Sequence, residues 1–82
     1  MKRIELGQYI VADPEICHDK LTFKGTRIRV EPVLRMVAKG NDWETIVAEY
    51  HHFITQDAIT EAIQLASEAL IEKVEQARQQ AA

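Results

Sequence analysis

Five cations fall within sixteen residues of this chain: Lys20, Lys24, Arg27, Arg29 and Arg35. Ammonium and guanidinium groups at that density are suited to binding anions, either phosphate oxygens or carboxylates. The stretch LTFKGTRIRV (Leu21 to Val30) alternates apolar and polar residues on both sides of Gly25-Thr26. That spacing predicts a β-hairpin with Gly25 and Thr26 at the centre of a type II′ turn. Leu21, Phe23, Ile28 and Val30 then share an apolar face, and Thr22, Lys24, Arg27 and Arg29 share a polar one. In this register Lys24 lies opposite Arg27, and like charges directly opposed destabilise a strand pair. An anion held between them would relieve the clash. Lys20, Lys24, Thr26, Arg27, Arg29 and Arg35 are therefore the candidate contacts for nucleic acid or for a carboxylate-bearing protein. The plain alternative for Arg27 and Arg29 is exposed pairing with the chain's own Asp13 or Glu31, which is nearly neutral in energy.

Other chemistry finds less support. Cys17-His18 and His51-His52 are pairs on separate connections, and neither has the spacing of a zinc module. No nucleophile–base arrangement and no phosphate-cradling glycine loop is present. Asp57, Glu61, Glu68, Glu72 and Glu75 are spaced as a solvated helix face. The expectation is a protein that is not an enzyme, with no metal, cofactor or small-molecule substrate.

With 82 residues, 46% of them hydrophobic, one domain over 1–82 is expected, with a small core that gains from a partner or a second copy. The single cysteine fits a reducing cytoplasm. Glu5, Gly7 and Gln8 interrupt any apolar leader, so no signal peptide and no membrane span are expected. The net charge of −3 conceals an asymmetry. Residues 18–39 hold six Lys and Arg against Asp19 and Glu31, whereas from Gly40 onward Lys73 and Arg78 face eight acids. A chain so divided is suited to a charged partner or to pairing with itself.

The elements that would position these residues follow from periodicity. Tyr9-Ile10-Val11 is a short strand, and Asp13-Pro14-Glu15 opens a single helical turn. After the hairpin, which completes a strand region over 9–30, Pro32 starts a helix to about Lys39 with Val33, Leu34 and Val37 inward. Gly40 ends it in the left-handed conformation. Asn41 and Glu44 have capping-box spacing at the head of a second helix to about Tyr50, with Trp43, Ile46, Val47 and Tyr50 on one face. Thr55 caps a third helix whose stripe is Ile59, Ala62, Ile63, Ala66, Leu70, Val74 and Ala77. It runs about 24 residues, or about 36 Å, beyond what a helical core over 31–66 needs. The amphipathic extension, residues 67–82, is expected to dock on a partner or on its twin through Ile63, Leu70, Ile71 and Val74. A frayed tail is the alternative. Helix, glycine-containing turn and helix over 31–50 make a helix-turn-helix candidate.

Asp13-Pro14-Glu15-Ile16-Cys17, Lys20, Gly25-Thr26-Arg27-Ile28, Val30, Gly40, Ile46, Tyr50, Ile54-Thr55, Ile59, Ala62 and Ala66 together resemble the bacterial family numbered 433 among domains of unknown function, over residues 9–67. The chain departs from that pattern at His18-Asp19, where the family has Gly-Gly, at Leu21 and His51, where it has proline, and at Leu65, where it has an aromatic. The resemblance implies a mainly α fold: a small N-terminal β-hairpin, then a homeodomain-like three-helix helix-turn-helix bundle with a long C-terminal helix. It also implies an antitoxin of the VapB type that neutralises a PIN-like ribonuclease toxin. A PIN-type nuclease clusters carboxylates around a metal, and an inserted arginine would satisfy them in the metal's place.

The would-be recognition helix offers Asp42, Glu44, Thr45, Ala48 and Glu49 and no Lys or Arg, which disfavours reading a major groove with it. The basic ribbon is the better surface for operator DNA. The expected function is a homo-oligomeric, cytoplasmic antitoxin that engages a toxin and its own operator. A free-standing helix-turn-helix regulator without a toxin is the second reading, and a purely structural interaction domain is the third.

Overall fold

The computed structural model of the chain describes residues 2–16 and 20–81. Among these residues a short antiparallel sheet precedes three helices. The strands are β1 (Ile4–Glu5), β2 (Ile10–Ala12) and β3 (Leu21–Phe23), and the helices are α1 (Val30–Ala38), α2 (Trp43–Glu49) and α3 (Gln56–Ala81). No helix among the described residues is long and apolar enough to cross a membrane.

The strands lie in the order β1-β2-β3. Ile4 pairs with Ala12, Ile10 with Phe23 and Val11 with Thr22. The expected strand at 9–11 is thus present one residue later, flanked by a β1 that periodicity did not indicate. Two residues are too few to show alternation.

The hairpin at 21–30 keeps its register but not its second strand. The Phe23 amide donates to the Ile28 carbonyl at 3.0 Å, and Thr22 bridges Arg29. Among the described residues only that one bridge forms before α1 begins at Val30. The turn is also shifted. The Thr26 amide donates to the Phe23 carbonyl at 3.0 Å, so Lys24 and Gly25 are the central residues. Gly25 has φ +78°, as the third position of a type II turn requires. The II′ turn centred on Gly25-Thr26 is therefore corrected, and Lys24 and Arg27 are loop residues rather than an opposed strand pair. The polar face is corrected as well. Thr22 is fully buried, and its hydroxyl finds no hydrogen-bond partner among the described residues, while Leu21 is 41% exposed. Val11, paired with Thr22 on the same face, is buried too, and Ile10 and Phe23 are buried on the other face, so both faces of the sheet are covered there and alternation could not report which was open.

Asp13 forms its single turn as expected, its carboxylate accepting from the Glu15 amide at 2.9 Å and its carbonyl from the Ile16 amide at 3.0 Å. Gly40, φ +89°, closes α1: its amide donates to Val37 and that of Asn41 to Met36, a complete Schellman motif. The Asn41–Glu44 capping box is not formed. Asp42 is the N-cap residue of α2 and makes no side-chain cap bond, because the chain leaving Gly40 spends Asn41 on closing α1. At the other end of α2 the same closure recurs without glycine. His51 and His52 take φ +55° and +62°, their amides donating to Ala48 and Val47. Proline, with φ fixed near about −65°, could not hold this closure at position 51. Thr55 caps α3 as expected, its hydroxyl accepting from the Ala58 amide at 3.2 Å.

Ile10, Phe23, Val30, Val33, Ile46, Ile54, Ala58, Ile59 and Ala62 form the core, with Leu34, Val37, Trp43, Val47, Tyr50, Ile63 and Leu65 packed around it. Glu61 ties α3 to the loop between β1 and β2. Its carboxylate accepts from the Gln8 amide at 3.0 Å and from the Tyr9 amide at 2.8 Å. A side chain at Gly7 would collide with that carboxylate, so Gly7 permits the close approach. Glu61 is thus a tertiary anchor and not part of a solvated face.

Candidate functional site

The cations of the basic segment separate into two groups. Lys24 reaches across the sheet to Glu5 at 2.9 Å, and Arg3 lies 3.8 Å from the same carboxylate. The hydrogen bond from Lys24 and that cation's charge hold the Glu5 carboxyl below the usual carboxylate range. Arg35 pairs with Glu31 one turn away at 3.0 Å on an exposed helix face. Thr26 is occupied within the turn, its hydroxyl donating to the Phe23 carbonyl at 2.8 Å and accepting from the Ile28 amide at 3.0 Å. Arg27 is exposed beside it. The anion proposed to sit between Lys24 and Arg27 is therefore not needed, because Glu5 already answers Lys24.

Lys20 and Arg29 are brought together. They line one groove of about 450 Å³ with Leu21, Val30, Glu31 and Leu34. Among the described residues no ion pair involves either of them. This groove continues into a second of about 440 Å³ that shares Leu21, Val30 and Leu34. There Leu6, Leu65 and Ala69 supply apolar surface, and Glu68 and Glu72 of α3 supply carboxylates. Sequence reasoning missed Leu6, Glu68 and Glu72 as site residues. An apolar side chain beside Gly7 was the signal for Leu6, but helix periodicity alone placed the two acids in solvent.

The extension of α3 carries the other surface. Leu70, Ile71 and Val74 are 63%, 60% and 44% exposed. They line a shallow hollow of about 310 Å³ with Glu75 and Arg78, on a different side of the helix from Glu68, Ala69 and Glu72. Ile63, grouped with them by spacing, packs against the core instead. Among the described residues no three of His, Cys, Asp and Glu gather in a metal-sized group. His51 and His52 are exposed, and the Cys17-His18 pair lies outside the described residues.

No curated protein and no solved structure matches this chain. A family model does match, over residues 10–66. That span runs from β2 to the point on α3 where burial ends, so it covers the core and the basic segment and leaves out the exposed extension. The chain belongs to the family described as protein of unknown function, DUF433.

Proposed function

We propose that this protein is a non-catalytic binding module of the antitoxin type, whose C-terminal helix engages a PIN-like ribonuclease toxin. The observation that carries the reading is the extension of α3: Leu70, Ile71 and Val74 form an apolar face that no part of the described chain covers. An amphipathic helix with an open face is the usual ligand of a groove on a partner. On this reading the three helices are a helix-turn-helix unit of the homeodomain-like class, α1 and α2 being joined through Gly40, and the module works in the cytoplasm.

The test is co-expression with a PIN-like gene product. The wild-type chain should relieve its toxicity and co-purify with it, whereas Leu70→Glu/Val74→Glu should lose both while remaining folded by circular dichroism. If the wild type never relieves toxicity, the antitoxin reading fails.

A second reading is a free-standing regulator that binds operator DNA. Lys20 and Arg29 in one groove favour it, and the exposed Glu44 and Glu49 of α2 oppose the use of that helix in a major groove. On this reading Arg29→Ala weakens DNA binding and lowers its salt dependence by about one phosphate contact.

A further inference from the structure

We infer that the paired grooves between the sheet, α1 and the middle of α3 bind a second copy of this chain about a two-fold axis. The inference rests on a different face of α3 from the toxin reading and stands without it. Leu6, Leu21, Leu34 and Leu65 line an apolar floor, and Leu6 and Leu21 are about two-fifths exposed. A small domain with a limited core gains from covering such a floor.

The rim determines the occupant. Lys20 and Arg29 stand at one end of the combined groove, and Glu68 and Glu72 stand on its α3 side. Among the described residues no ion pair joins the two ends, and Glu31 is already held by Arg35. A polyanion such as DNA would meet the cations but would bring its phosphates against two carboxylates. A uniformly acidic or basic peptide would meet like charge at one end or the other. A second copy rotated by a half-turn meets neither problem. In an isologous interface each end lies on its opposite, so Lys20 and Arg29 of each protomer face Glu68 and Glu72 of its partner, twice per dimer. The Leu70–Ile71–Val74 face stays outside this contact, and a dimer would present it twice.

Sedimentation equilibrium on the full chain tests the inference. The wild type should be a dimer. Lys20→Glu/Arg29→Glu makes both ends of the groove acidic, Glu68→Lys/Glu72→Lys makes both ends basic apart from the Arg35-paired Glu31, and each variant should dissociate with a Kd raised about tenfold or more. All four residues are exposed, so both variants should keep the wild-type circular dichroism spectrum. Mixing the two variants should restore a dimer containing one of each, because both sets of contacts are then complementary again; a fold defect could not produce that rescue. A monomeric wild type at millimolar concentration overturns the inference. So does a dimer indifferent to both reversals, or a pair of variants that does not associate on mixing. Charge reversal that abolishes DNA binding without changing the mass would assign the groove to nucleic acid and overturn it equally.

Discussion

Residues 56–66 and residues 67–81 belong to one uninterrupted helix, yet different forces hold the two halves. The first half buries Ala58, Ile59 and Ala62 and anchors the β1–β2 loop through Glu61. Every residue of the second half is exposed. Its helicity rests on propensity, since Glu, Ala, Leu, Gln, Lys and Arg dominate it, and on nucleation already accomplished by the packed half. A strong helix former is enough to extend a helix past its core. It does not say what the extension is for, and that depends on the side chains left uncovered.

The sharpest test of this division is Ile59→Ala against Leu70→Ala. Ile59 is fully buried, so its truncation should cost about 2–5 kcal/mol in urea denaturation. Leu70→Ala should stay within about 0.5 kcal/mol. Equal costs would mean that the extension is packed in solution and that the two halves are not distinct. Next in size is the anchor. Glu61→Ala should cost about 1.5 kcal/mol and speed hydrogen exchange at the Gln8 and Tyr9 amides. Glu61→Gln, which keeps an acceptor, should lose less.

A smaller effect compares the two helix closures upstream. Gly40 closes α1 and His51 closes α2 with the same bonds, but only the glycine does so without steric cost. His51→Gly should therefore raise stability by up to about 1 kcal/mol, read from the denaturation midpoint. No gain would show that the histidine is not strained there.

The smallest effect is a pH one. The folded carboxyl of Glu5 titrates below its ordinary value because of Lys24. Its contribution is present above the unfolded pKa and is lost as pH falls through the folded pKa. Lys24→Ala should return the Glu5 titration toward the ordinary carboxylate range, as followed by carbon NMR of Cδ. An unmoved midpoint would remove the Lys24–Glu5 pair from solution.

The residues show why some of this was legible and some was not. Gly40, Thr55 and Asp13 act within a few residues of themselves, and spacing alone identified their roles. The register of Phe23 with Ile28 was equally local. The capping box failed although its spacing was right, because Asn41 was already needed to close α1. Thr22 and Leu21 were misassigned because alternation reports two faces without saying which of them other elements cover. Lys24 with Glu5 and Glu61 with Gln8 and Tyr9 join residues far apart in the chain, and no local pattern encodes them. Lys20 with Arg29, and both with Glu68 and Glu72, became one groove only when the sheet, α1 and α3 were packed together.

By itself the sequence determined the helices, most of their ends, the split of charge along the chain and the resemblance to its family, since each depends on residue type and short-range spacing. Tertiary structure alone decided which charges are already answered, which apolar residues remain uncovered, and which distant cations and carboxylates share a rim. Burial and ion pairing are properties of what lies across a gap in space, and the fold sets that neighbour.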